Sequence, residues 1–258
     1  MSDSDDDFPV LSDYALKALQ EFQNEEKERL LQLSKVYNKP ASATLKDFKN
    51  DNDHDHYHDH KNNDDLNIDL FKEDWNLSQF WYDEKTATFL ARELLNGTTE
   101  DTKICIISAP SVYSAILDQL KLEDRPNLKK NIYLFEFDKR FRLLAGDSNF
   151  IFYDFKNPLK FDKLDLFKSK IDKLLIDPPF LSNECQTKAA ITARVLSNSN
   201  SQILVCTGER MKDLIKKIYP TTKMTNFIPE HKNGLSNEFR CYASYKSENW
   251  DYIGENDP

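Results

Sequence analysis

A chain of 258 residues with 39% hydrophobic content holds enough apolar material for one good-sized core and need not divide into two. Its formal charge of −9 is unevenly placed: 17 acidic and 8 basic residues fall before position 71, leaving 27 of each beyond it. A near-neutral body disfavours nucleic acid as a partner, because nonspecific binding draws on Lys and Arg neutralising phosphates. Lys129, Lys130, Lys139, Arg140 and Arg142 read as a solvated face before they read as a phosphate patch. The four cysteines, at 105, 185, 206 and 241, fall singly and without zinc spacing. With no signal peptide and no long apolar span, the expectation is a soluble, reduced, cytoplasmic protein that does not enter the membrane.

In chain order, residues 1–37 form an acidic arm. Within it Ser12 to Tyr37 carries a cap at Ser12 or Asp13 and apolar residues at helical intervals, from Leu16 and Leu19 to Leu30 and Leu33. That pattern predicts an amphipathic helix, docked on the chain's own body or on a partner. Residues 38–69 are rich in Asp, Asn, Lys and His and read as a flexible, disordered linker. The run His54-Asp55-His56-Tyr57-His58-Asp59-His60 has nothing around it to fix a metal's geometry, so no metal site is assigned.

Order is expected to resume near Leu70 and to continue as one domain over 70–258. Phe71, Trp75, Leu77, Phe80, Trp81 and Tyr82 concentrate too much aromatic surface to leave in water. Asp83 or Glu84 then opens a helix that Asn96-Gly97 closes. Apolar runs alternate with helical patterns from there. Strands are predicted at Lys103–Ser108, Asn131–Phe137, Phe150–Tyr153, Ile171–Ile176 and Gln202–Cys206, and helices at Ser111–Leu120, Ser182–Leu196 and Glu209–Ile218. Such βαβ alternation makes a parallel sheet covered by helices. Two last strands, about Thr222–Ile228 and Glu238–Tyr245, flank Lys232-Asn233-Gly234 and should close the sheet as an antiparallel hairpin.

The most informative stretch is Leu174-Leu175-Ile176-Asp177-Pro178-Pro179-Phe180, where a buried strand runs into a carboxylate, two prolines and an aromatic ring. Proline cannot continue a ladder, so the strand ends abruptly and the next residues are held in a stiff turn at its carboxyl end, where open α/β sheets bind ligands. The Asp177 carboxylate and the Pro178 carbonyl are both acceptors for one amino group, and Phe180 supplies a wall beside it. Asp177, Pro178, Pro179 and Phe180 are therefore the candidate catalytic residues. The bland alternative is a strand-ending turn in which Asp177 caps the next helix.

Asp177 to Phe180 resembles the D/N-P-P-F/Y motif of class I methyltransferases that modify amino nitrogens using S-adenosyl-L-methionine. Gln79 to Ala87, Q-F-W-Y-D-E-K-T-A, resembles the segment typical of the translation elongation factor 1-alpha lysine methyltransferase family, once labelled adenine-N6 methyltransferases. The resemblance spans about Leu77 to Tyr245. It implies a Rossmann-like α/β fold with a mostly parallel seven-stranded sheet, and a cofactor lying across the carboxyl ends of the first four strands. Trp81, Tyr82 and Thr86 would then lie over the cofactor, with Ser108 and Ala109 at the turn after the first strand. That turn, Ser108-Ala109-Pro110-Ser111, lacks the glycine usual there. Glu136 and Asp138 compete for the ribose hydroxyls; alternation admits one of them, and Asp138, lying past the strand end, is preferred. Asp154 would meet the adenine amino group with Phe155 against the ring, and Asp177 lies at the junction of cofactor and substrate.

The resulting expectation is a monomeric protein-lysine N-methyltransferase acting on translation elongation factor 1-alpha. An adenine-N6 methyltransferase would use the same D-P-P-F geometry on a flipped base. A non-catalytic scaffold retaining the fold is the third reading.

Overall fold

The computed structural model describes residues 68–235 and 238–253, together with Lys17 and Gln20, both helical. The rest of the helix predicted over 12–37, and the predicted linker up to residue 67 with its histidine run, lie outside the described residues; Ile68–Leu70 is a 3₁₀ turn, so the linker's last two positions are already ordered structure.

A seven-stranded sheet runs through the described body in the order β3-β2-β1-β4-β5-β7-β6. Its strands are β1 (Ile104–Ile107), β2 (Ile132–Glu136), β3 (Phe150–Phe152), β4 (Ile171–Ile176), β5 (Ser197–Gly208), β6 (Lys223–Met224) and β7 (Phe239–Ala243). The first five are parallel, and β7 is antiparallel to both β5 and β6. Every residue of β1 is buried, which is why it reads as an unbroken apolar run, and β4 is nearly so, with Leu174–Ile176 as its apolar stretch after Asp172 and Lys173. Six α-helices complete the body: α1 (Glu84–Leu95), α2 (Pro110–Leu122), α3 (Arg142–Ala145), α4 (Leu164–Phe167), α5 (Asn183–Leu196) and α6 (Lys212–Ile218). One face of the sheet, with Cys105, Ile107, Phe135, Leu174, Ile176 and Val205, packs on Ala189, Ala193 and Leu196 of α5 and Ile215 of α6. Helices α1 and α2 pack on each other and on β1, β2 and β4.

Local chemistry sets the boundaries nearest the site. The Asp83 carboxylate accepts from the Thr86 amide at 2.7 Å to start α1, and Ser182 accepts from Cys185 at 3.3 Å to start α5. Pro110 occupies the first turn of α2, where its missing N–H costs nothing. All four cysteines are buried and free. Among the described residues no helix is long and apolar enough to cross a membrane.

Two expectations need correction. Strand β5 starts at Ser197, directly after α5, because Ser201 donates to the Ile171 carbonyl at 2.6 Å and holds an irregular stretch against β4. The terminal pair is antiparallel, but it is not a tight hairpin. Strand β6 has only two residues, β7 inserts between β5 and β6, and the chain between β6 and β7 makes an excursion to the segment just ahead of α1. There Asp83 N–H donates to the Glu230 carbonyl at 3.0 Å and Lys232 N–H to the Trp81 carbonyl at 2.8 Å, bridging Tyr82 and His231. The Gly234 turn, at φ +67°, belongs to this excursion.

Candidate active site

At the end of β4 the Asp177 amide donates to the Ile107 carbonyl at 3.0 Å, a last ladder bond to β1 before the two prolines stop the pairing. The fully buried Gln186 of α5 donates to the Phe180 carbonyl at 3.1 Å, so both ends of the turn are tied down. Gly208, at the end of β5, leaves room for the next residue: a Cβ there would lie 2.6 Å from Leu181 Cδ1. Asp177, Pro178, Pro179 and Phe180 line a cavity of about 310 Å³ at the carboxyl ends of the central strands. Asp177 keeps partial access through that cavity, and Phe180 is 38% exposed at its edge.

The glycine-free turn after β1 solves its steric problem with serine. Ser108 adopts φ +60° and donates its amide to the Phe135 carbonyl at 2.9 Å. A left-handed conformation is uncommon for any residue with a Cβ, and such strain concentrates at ligand sites. Ser108, Ala109, Pro110 and Ser111 all line the cavity, so the backbone reaches the place a glycine turn would reach.

The two acids at the end of β2 are placed the other way round from the preference on sequence, with Glu136 in the cavity lining and Asp138 outside it. Glu136 lines the cavity and is 6% exposed, with its Oε1 accepting from the amides of Phe137 at 2.9 Å and Asp138 at 3.1 Å. Burial pushes its carboxyl up to about 7, against the pull of those two amides. Asp138 does not line the cavity. It caps the 3₁₀ turn Lys139–Phe141, pairs with Arg140 at 2.6 Å and accepts from Gln79 Nε2 at 3.1 Å. Its carboxylate is spent on anchoring the segment ahead of α1, and Arg140 extends that anchor to the Lys72 carbonyl at 3.2 Å.

Asp154 and Phe155 line the cavity, as expected of their position after β3. Both Asp154 oxygens also serve their own turn, accepting from the Lys156 amide and the Asn157 side chain, each at 2.9 Å. The Phe155 ring lies 5.6 Å from that of Phe180. Trp81 lines the cavity, with its indole N–H on the Phe71 carbonyl at 2.9 Å. Tyr82 and Thr86 do not. Thr86 Oγ1 accepts from the Glu230 amide at 3.0 Å and so latches the β6–β7 excursion, while Tyr82 is buried beneath the cavity.

Sequence reasoning missed Phe137, Phe239, His231 and the stretch Asn76 to Phe80, all in the lining. His231 carried a signal: it is the one histidine of five outside the run at 54–60. Its ring lies 4.8 Å from Tyr82 and 4.5 Å from Phe239. Burial lowers it to about 4 despite Glu73 and Asp83 nearby, so it is neutral at physiological pH. Asp177 moves the other way. Burial pushes its carboxyl up to about 8, with Tyr82 pulling down and Glu136 pushing further up. The cavity thus offers two proton-holding carboxyls, one neutral imidazole and aromatic walls.

The family model described as "Probable N6-adenine methyltransferase" matches residues 73–247. The chain belongs to this family. Among its curated members, the "Protein-lysine N-methyltransferase EFM5" of Saccharomyces cerevisiae is 47% identical over 254 residues, covering 94% of each chain. The "EEF1A lysine methyltransferase 1" of Homo sapiens is 37% identical over 248 residues, covering 96% of this chain and 97% of its own. "Protein-lysine N-methyltransferase M142.8" of Caenorhabditis elegans is 32% identical over 252 residues, covering 96% and 98%. These family members match nearly end to end, so the similarity takes in the Asp177–Phe180 turn and the segment ahead of α1 together.

Proposed function

We propose that this protein is an S-adenosyl-L-methionine-dependent protein-lysine N-methyltransferase that acts on translation elongation factor 1-alpha, in the cytoplasm where translation runs. The observation that carries the reading is Asp177, tied to β1 on one side and to a double proline on the other, with its carboxyl open to a cavity walled by aromatic rings. The names of the yeast and human relatives support lysine as the acceptor and the elongation factor as the substrate.

The residues present fit the cofactor. Glu136 offers a buried carboxylate acceptor to vicinal hydroxyls, the Ser108–Ser111 turn brings small side chains to the cavity, and Phe137 and Phe155 offer faces to a purine. Bound there, S-adenosyl-L-methionine supplies a methyl group made electrophilic by a positively charged sulfur.

The protein's own task is the amine. A lysine arrives protonated, since its reference pKa is about 10.4, and an ammonium has no lone pair. Apolar walls such as Phe180 and Phe239 favour the neutral form. The Asp177 carboxylate and the Pro178 carbonyl then accept the remaining N–H bonds and aim the lone pair into the cavity. A pre-set turn does this at little entropic cost when substrate arrives.

Incubating the protein with labelled methyl donor and cell extract, then digesting with protease or nuclease, tests the acceptor class. Label that survives protease and is lost to nuclease would sink the lysine reading in favour of adenine. Intact mass of the elongation factor from cells with and without this protein then tests the substrate. In the same assay D177A should lose turnover by at least about 100-fold, far more than it loses in cofactor affinity. Equal loss of both would count against the assigned role of Asp177.

A further inference from the structure

Tyr82 is 3% exposed, and its hydroxyl is sealed from solvent without a hydrogen bond of ordinary geometry. A buried hydroxyl without a well-formed hydrogen bond is costly, so it calls for a partner among the groups beside it. The hydroxyl lies against the Asp177 carboxyl and the Cys206 thiol. That thiol already faces Cys241, its cross-strand partner. The titratable groups facing Asp177 are Glu136 from β2, Cys185 from α5, Cys206 from β5, and Tyr82. Tyr82 is the strong donor of this set, and burial raises its hydroxyl well above the ordinary value, so it keeps its proton at every working pH.

The tyrosine is also held for this purpose from both sides. Its backbone flanks are paired to Glu230 and Lys232 of the β6–β7 excursion, and its ring packs on His231, which in turn packs on Phe239. These two rings, like Asp177, line the cavity.

We propose that Tyr82 is a positioning residue for methyl transfer: when Asp177 ionises, the Tyr82 hydroxyl donates to one carboxylate oxygen and leaves the other facing the cavity for the acceptor amine. This rests on the lysine methyltransferase reading for its purpose, but the Tyr82–Asp177 coupling stands apart from any substrate. Without the tyrosine hydroxyl the carboxylate would lose its strong donor and would be free to rotate.

The test is Y82F in the full-length chain, which keeps the ring on His231. Carboxyl carbon resonances of isotopically labelled aspartate, with Asp177 assigned by its absence in D177N, give the Asp177 titration in the free protein. The midpoint should rise by about one pH unit in Y82F. Turnover near neutral pH should fall about tenfold, well beyond any change in KM for the methyl donor, and part of the loss should return as pH is raised. Should Y82F not fold, 3-fluorotyrosine placed at position 82 by nonsense suppression preserves the ring and strengthens the donor, and the midpoint should move down instead. An unmoved Asp177 midpoint in either folded protein overturns the proposal. Absence of lysine methylation by the unaltered chain would sink the functional reading and leave the titration result intact, so the two failures are told apart.

Discussion

Asp177 and Glu136 show how one small volume can set the chemistry of single residues. Both carboxyls hold their protons to a higher pH in the folded chain than an exposed acid does, Glu136 to about 7 and Asp177 to about 8, and burial is the first cause in each. A group whose folded pKa is raised stabilises the fold fully below its unfolded pKa, near 4 for a carboxylate, and that contribution is lost as pH rises through the folded value. The free protein should therefore lose stability between pH 5 and pH 9. D177N is neutral throughout this window and keeps the size of the side chain. Its melting temperature should fall less than that of the unaltered chain over the same range, crossing above it on the alkaline side. Parallel curves from thermal melts at matched ionic strength would show that Asp177 is ionised in the free fold at all these pH values. Ser108 makes a related point about strain: a left-handed residue with a Cβ is kept at the end of β1 because the turn must pass close to the cavity, and serine is small enough to do it.

Between single residues and the whole lies the β6–β7 excursion, an element that the cavity depends on and that only tertiary contacts define. Its latch is Thr86 in the first turn of α1, whose hydroxyl accepts from the Glu230 amide at 3.0 Å. T86V keeps the shape of the buried side chain and removes the acceptor. Stability should drop by about 1 kcal/mol, the usual net worth of one such bond. KM for the protein substrate should rise, since His231 is carried by this element and packs on Phe239 at the start of β7, and T86S should restore both. Urea unfolding with steady-state kinetics checks it; an unchanged KM would separate the excursion from substrate binding. The same element marks where sequence reading stopped. Strands β1 to β4 were legible almost residue by residue because most of their positions are apolar, unbroken in β1 and interrupted in β4 only by Asp172 and Lys173. Phe227 and Ile228 looked like the continuation of a strand, yet Phe227 stacks on Phe89 of α1 at 4.0 Å and leaves the ladder after two residues. In the site, the Asp177–Phe180 turn was legible because proline acts locally. The choice between Glu136 and Asp138 was not, because it is decided by Arg140 and Gln79, and Gln79 lies 59 residues from Asp138 in sequence. His231 reaches the cavity through pairing with Tyr82, which no local pattern encodes.

At the scale of the molecule, the body beyond residue 70 carries 27 acidic and 27 basic residues, so no strong overall field draws a cationic ligand from a distance. What the fold does instead is gather Glu136, Asp154 and Asp177 from the ends of β2, β3 and β4 onto one cavity, and keep the neighbouring histidine neutral. A cavity of this kind favours a positively charged ligand more strongly once its carboxyls are ionised. A cation favours the carboxylate form of a nearby acid, so a ligand bearing one must expel protons from groups that hold them in the free protein. Affinity for S-adenosyl-L-methionine should therefore climb as pH rises from 6, and level off above about 9, where Asp177 has lost most of its proton in the free state. Calorimetry in buffers of different ionisation enthalpy should register net proton release at pH 7. The demethylated product, whose sulfur is uncharged, should release fewer protons and show the shallower pH dependence, retaining the share that comes from hydrogen bonds to Glu136. Flat affinity from pH 6 to 8.5 for both ligands would mean that neither carboxyl changes state on binding, and the electrostatic account of this cavity would have to be abandoned.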